Sequence, residues 1–179
     1  IADIPHQYQL LTTQAEVEAL LPELLAQKEV CFDTETTSLE EMEAKIVGLA
    51  LSWEVHKGYY ILFPEDMALA GQWLSLLKPF FESETILKIG QNLKYDLKIL
   101  ANYGIEVYGK LFDTMIAHYL LNPDMRHNMD LLSEAYLDYK PIAIESLIGK
   151  RGKGQLTMRA VPSELQKEYA VEDTDVSLQ

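Results

Sequence analysis

The segment Val30-Cys31-Phe32-Asp33-Thr34-Glu35-Thr36 constrains this chain more than any other. Three apolar residues in a row suit a buried strand. Two carboxylates then follow at i and i+2, and in a strand those positions point to the same face. Asp33 and Glu35 therefore project together, directly after a stretch that must be buried. Like charges that close are unfavourable unless a cation neutralises them, and hard divalent cations such as Mg²⁺ and Mn²⁺ take oxygen ligands. One reading is a metal site at a strand end. The other is a strand running into a polar turn, with Asp33 or Thr34 capping a neighbour. The segment alone weighs them evenly.

The remaining pattern supplies an α/β frame. A strand at Tyr8–Leu11 leads in. Thr12 or Thr13 can cap a helix over 14–27. After the Asp33 strand, two apolar stretches at 45–53 and 58–63 flank a short polar break and read as an antiparallel hairpin. A helix is expected over 69–81, a strand over 85–89, a helix over 93–102 and a short strand over 110–113. Asp113 then caps a helix to Leu121. Helices near 130–137, 144–148 and from Ser163 onward complete the chain. Antiparallel strands first, then strands alternating with helices, then helices only, describe a mixed sheet covered on both faces. With 179 residues and 48% hydrophobic content, one domain over 1–179 is expected. The chain lacks a starting Met and stops within a helical pattern, which reads as a piece of a longer protein. No run is long enough to span a membrane, and Ile1–Pro5 lacks the pattern of a signal peptide. The single cysteine, Cys31, excludes an internal disulfide, fits a reducing cytosol and reads as a small buried hydrophobe.

In open α/β sheets, sites gather at the carboxyl ends of strands. Asp33 and Glu35 end one strand, and Gln91, Asn92 and Asp96 follow another. Tyr169 and Asp173 are four apart on the last helix and share a face. Asp33, Glu35, Asp96 and Asp173 are thus expected around one pocket, with the Tyr169 hydroxyl beside it. Four carboxylates holding two metals about 4 Å apart suit attack of water on a phosphodiester.

Asp33-Thr34-Glu35, Gln91-Asn92-Leu93-Lys94-Tyr95-Asp96 and Tyr169-Ala170-Val171-Glu172-Asp173 together resemble the three motifs of the DEDD-type 3′→5′ exonucleases, in the version with tyrosine in the third motif. The histidine version carries His five residues before the last aspartate, where this chain has Glu168. Residues 90–96, 99–105, 112–114 and 149–157 further resemble the proofreading exonuclease domain of bacterial DNA polymerase I, a family A polymerase, and the resemblance runs from about Tyr8 to Gln179. It implies a ribonuclease H-like fold with a mixed five-stranded sheet whose first three strands are antiparallel. It implies two divalent metal ions (Mg²⁺ or Mn²⁺, with Zn²⁺ able to substitute in vitro). In that scheme Asp33 bridges both metals, Glu35 and Asp173 complete the tighter site and Asp96 holds the second. Tyr169 and Glu35 orient the attacking water. Leu39 wedges against the terminal base, and Gln91, Asn92, Tyr95 and Arg126 contact the strand. Ile144 stands where the family has an aromatic that stacks on that base, so substrate affinity is expected to be lower. The implied partners are a single-stranded DNA 3′ end and a polymerase domain linked C-terminally, in the bacterial cytoplasm with the nucleoid, the isolated domain being a monomer.

The net charge of −13 argues against a domain that grips nucleic acid unaided. Bound cations, or a separate basic domain, reconcile it. The loop 149–154 holds three basic residues, which read equally as phosphate contacts or as a solvated mobile loop. His56 and His118 have no partner at ligand spacing, and for His127, next to Arg126 in a loop, a substrate contact is not the favoured reading. Two rival functions remain: a ribonuclease D-like RNA 3′-end processor, against which the polymerase-like segments count, and an idle polymerase scaffold, against which the complete carboxylate set counts.

Overall fold

The computed structural model describes residues 4–179. The opening Ile1–Asp3, part of the stretch read for a signal peptide, lies outside the described residues. The strands are β1 (Gln7–Leu11), β2 (Glu29–Thr36), β3 (Ile46–Glu54), β4 (Lys57–Leu62), β5 (Leu87–Gly90) and β6 (Leu111–Asp113). They form one sheet in the order β1-β4-β3-β2-β5-β6. The β2-β3 and β3-β4 pairs are antiparallel, while β5 and β6 extend the sheet in parallel. This is one strand more than the five expected, because the lead-in β1 joins the far edge parallel to β4.

Eight helices surround the sheet: α1 (Gln14–Leu25), α2 (Met67–Leu76), α3 (Lys78–Phe81), α4 (Leu93–Asn102), α5 (Thr114–Leu121), α6 (Met129–Leu137), α7 (Glu145–Ile148) and α8 (Ser163–Leu178). Thr13 starts α1 through a capping box with Glu16. The single helix expected over 69–81 is instead two. Pro79 has no N–H to return to the preceding turn and its ring crowds that turn, so α2 ends at Leu76 and α3 restarts behind it. The strand expected from Thr85 starts at Leu87, since Ser83 Oγ accepts the Thr85 amide and holds a turn there.

Alternation along β2 decides what faces what. Val30 and Phe32 enter the main core with Leu20, Leu24, Trp73, Phe80 and Phe81 of α1–α3, and Phe32 meets Phe81 edge-on at 5.3 Å. Asp33 and Glu35 take the opposite phase. Ala50, paired with Asp33 in the ladder, packs with Tyr60, Ala170 and Val171, so this face is covered by α8. Of the chain's helices, α8 packs most extensively on the sheet, against β3, β2 and β4. Among the described residues no helix is long and apolar enough to cross a membrane.

Candidate active site

Strand β2 outruns its parallel neighbour. Its ladder with β5 ends at Cys31–Ile89, while its antiparallel ladder with β3 continues to Thr36. The Thr34 amide, left without a β5 partner, donates instead to Asp96 Oδ1 on α4 at 2.9 Å, and the Thr34 hydroxyl donates to the same oxygen at 2.5 Å. Asp96 is 2% exposed and is fixed by the strand that carries the other two motif carboxylates.

The carboxylates of Asp33, Glu35 and Asp173 converge, each with an oxygen within 4.8 Å of the others; Asp96, expected with them, is not in this tight group, though its charge acts on Asp33 and Glu35. Glu35 sits opposite Gly48 and Asp33 opposite Ala50, so small residues on β3 leave room beside both. A Cβ at position 48 would collide with the Tyr60 ring, 2.1 Å from its hydroxyl. Tyr60 in turn donates to Gln166 Oε1 on α8 at 2.8 Å, and the Gln166 amide donates to Val161 O at 2.7 Å. Gln166 and Asp173 are seven residues apart, two turns along one face of α8, so this buried link fixes the helix that delivers Asp173.

The electrostatics are unfavourable without a cation. Burial, and then Asp96 and Asp173, hold the Asp33 carboxyl well above the usual range. Burial, then Asp33 and Asp96, do the same for Glu35; burial and Glu35 do so for Asp173. Asp96 is pushed up only to about 6, because the Thr34 hydrogen bonds oppose its burial. Among the described residues no Lys, Arg or His forms an ion pair with any of the four. Hard oxygen donors, gathered and uncompensated, fit a divalent cation. Burial, and then the negative charge of Asp173, Glu35 and Asp33, raises the Tyr169 hydroxyl far above its usual pKa, so it stays neutral. The Cys31 thiol is likewise raised by burial and by the nearby carboxylates, and packs as a small core residue.

The remaining candidates sit on the flanking elements. Tyr95 donates to Ser38 O at 2.6 Å and meets the Thr36 hydroxyl at 2.5 Å. It thereby pins the root of the β2–β3 loop, on which Leu39 stands 80% exposed. Asn92 takes a left-handed conformation at the start of α4, and its amide donates to Asp113. Gln91 is clamped at both ends of its amide: Nε2 donates to His127 O at 2.7 Å, and Oε1 accepts from the Thr114 hydroxyl. Arg126 is exposed beside His127 on the loop between α5 and α6. Ile144 packs on the cluster of Val47, Met158 and Val161, as does Tyr169. Asp113 is a helix cap, as the sequence suggests, but for two helices. Its carboxylate accepts from Met115 and Ile116 of α5 and from Asn92 and Leu93 at the head of α4. Glu172 and Asp175 point away from the pocket: Glu172 accepts from Tyr139 and Ile142, and Asp175 from Tyr8 and the His56 amide. The sequence pattern does not reveal the contact between His118 Nδ1 and His127 Nδ1, 2.7 Å apart. Nor does it reveal Gln166, which no motif spacing marks.

A family model described as 3′-5′ exonuclease matches residues 8–179. DNA polymerase I of Borreliella burgdorferi is 34% identical over 174 residues, covering 96% of this chain and 19% of that protein. DNA polymerase I of Pseudomonas aeruginosa is 36% identical over 180 residues, covering 96% of this chain and 20% of that protein. The chain thus spans about a fifth of the length of these curated relatives. Among solved structures, Escherichia coli RNase D superposes with a TM-score of 0.72 at 22% identity, covering 95% of this chain and 42% of that one. That likeness carries the fold, which is ribonuclease H-like. Matched along nearly its whole length by one family model and by these polymerase relatives, the chain belongs to the 3′-5′ exonuclease domain family of DNA polymerase I.

Proposed function

We propose that the domain is a two-metal-ion exonuclease that hydrolyses phosphodiesters at single-stranded or frayed DNA 3′ ends, proofreading for a polymerase domain linked C-terminally on the same bacterial polypeptide. The observation that carries this is the convergence of Asp33, Glu35 and Asp173 within 4.8 Å without a counter-charge. Asp33, Glu35 and Asp173 would hold one cation, and Asp33 and Asp96 a second. Bound there, Mg²⁺ or Mn²⁺ supplies Lewis-acid polarisation of the phosphodiester and lowers the pKa of water. The chain's own groups aim the reactants. The neutral Tyr169 hydroxyl, four residues before Asp173 on α8, would accept one hydrogen of a water through its lone pairs. A Glu35 oxygen accepts the other, which turns the water's lone pair toward the phosphorus. Leu39, on the loop that Tyr95 pins, wedges under the terminal base, and Gln91, Asn92, Tyr95, Arg126 and Ile144 line the strand. The polymerase relatives support action on DNA in a bacterial cell; the same reading has the domain work with the nucleoid and stay monomeric when isolated.

Labelled single-stranded DNA, blunt duplex and single-stranded RNA, each with Mg²⁺ and with EDTA, provide the test, with Asp33→Ala as control. Metal-dependent release of mononucleotides from the 3′ end of single-stranded DNA is expected, and Asp33→Ala abolishes it. Preference for RNA would move the assignment to the ribonuclease D-like reading. Preference for duplex, release from the 5′ end or undiminished activity in Asp33→Ala would overturn it.

A further inference from the structure

Charge is unevenly spread over this domain. The segment 140–159 carries five of the chain's fifteen basic residues, Lys140, Lys150, Arg151, Lys153 and Arg159, but only one of its twenty-eight acidic residues, Glu145. Lys57, Lys98 and Lys167 are each neutralised by a carboxylate. Among the described residues Lys150, Arg151 and Lys153 make no ion pair, although all three are exposed. They stand on a loop built to be open. Gly149 and Gly152 have φ of 82° and 152°, and a side chain at 149, 152 or 154 would meet nothing within 4 Å. The loop is nevertheless held at its neck. The Leu156 amide donates to Ile148 O at 2.9 Å, and the Gln155 side chain donates to Gly149 O at 3.3 Å. Below the neck, Leu147 and Ile148 pack on the same Val47–Met158–Val161 cluster as Tyr169. The returning segment is tied down by Arg159, whose guanidinium donates to Phe63 O at 2.6 Å and Ile46 O at 2.9 Å.

We propose that Lys150, Arg151 and Lys153 form a phosphate rail that takes the backbone of the DNA strand upstream of the scissile bond and offsets the acidity of the pocket. This rests on the exonuclease reading of that pocket. At about 0.1 M salt the field of an exposed charge is largely screened beyond about 10 Å. The distant acids that dominate the net charge therefore weigh little, and cations beside the strand decide its affinity. The rail has no role for a substrate too short to reach it, so it sets a dependence on strand length.

The experiment uses the 179-residue chain and its Lys150→Gln/Arg151→Gln/Lys153→Gln variant, with single-stranded DNA of two and of eight nucleotides. For the eight-mer the variant is expected to raise KM at least tenfold at 100 mM salt and leave kcat in place. The slope of log(kcat/KM) against log[salt] should become shallower by about 2, since each phosphate neutralised on a single strand accounts for about 0.7 of that slope. Cleavage of the dinucleotide serves as the internal reference, and the ratio of KM values between the two lengths should collapse in the variant. An unchanged eight-mer KM and salt slope would overturn the rail, as would an equal loss on both lengths. Fluorescence anisotropy of the eight-mer in EDTA separates the two ideas. If the wild-type chain cleaves nothing, the exonuclease reading fails. The rail then stands or falls on whether the variant weakens that binding.

Discussion

Tyr169 is held among carboxylates that keep its hydroxyl protonated, so it can act through hydrogen bonds but is a poor ligand for a hard cation. Tyr169→Phe should preserve fold and Mn²⁺ affinity while slowing cleavage. One positioning hydrogen bond is worth about 1–3 kcal/mol in the transition state, or roughly 5- to 150-fold. Single-turnover rates with calorimetric Mn²⁺ titration read both quantities, and an unchanged rate would leave the ring a packing role only. At this scale the sequence is informative where chemistry is local. The i, i+2 spacing of Asp33 and Glu35 and the i, i+4 spacing of Tyr169 and Asp173 are properties of a strand and a helix, and the three-carboxylate cluster follows them. The Thr34–Asp96 and Tyr60–Gln166 hydrogen bonds join residues far apart in sequence. Each depends on which strand runs past which helix, and no spacing encodes that.

Among the elements, α4 and α5 share one cap. Asp113 closes the start of both, so Asp113→Ala opens two helix ends at once. At about 0.5–2 kcal/mol per cap, a loss of about 2 kcal/mol is expected. Urea unfolding with unchanged slope and a lower midpoint would record it, whereas a loss within about 0.5 kcal/mol would mean that water replaces the carboxylate. Element identity is legible wherever a strong local signal exists: the capping box at Thr13, the Asp113 cap and the hairpin of β3 and β4. The break at Leu77 carries its signal too, in Pro79, but helical periodicity on either side of it masks the interruption. The pairing of β1 with β4 has no local signal, because a parallel edge strand is chosen by the sheet it meets.

For the whole molecule, the concentrated carboxylates make stability depend on pH and metal together. Burial raises the folded pKa of Asp96 to about 6 and holds Asp33, Glu35 and Asp173 well above their ordinary range, whereas an unfolded Asp titrates near 3.9. The folded state binds more protons than the unfolded one, so stability falls as pH rises. The contribution of Asp96 is fully present below about pH 4 and is lost as pH passes about 6, a change of about 3 kcal/mol. In EDTA, Tm should therefore fall from pH 5 to pH 8. Saturating Mg²⁺ or Mn²⁺ should flatten the fall by binding only the folded, deprotonated site. Parallel Tm curves with and without metal would refute this coupling.

Asp33 lies on the second strand and Asp173 on the eighth helix, with most of the sheet formed between them. A ribosome releases β2 long before α8, and a parallel and antiparallel sheet of this kind closes slowly because its partners are distant in sequence. Within this domain the carboxylate pocket therefore waits for α8. Until α8 docks, a nascent chain holds two of its three clustered carboxylates and has no enclosed place for the third. A domain cut short before α8 is thus born without its third carboxylate.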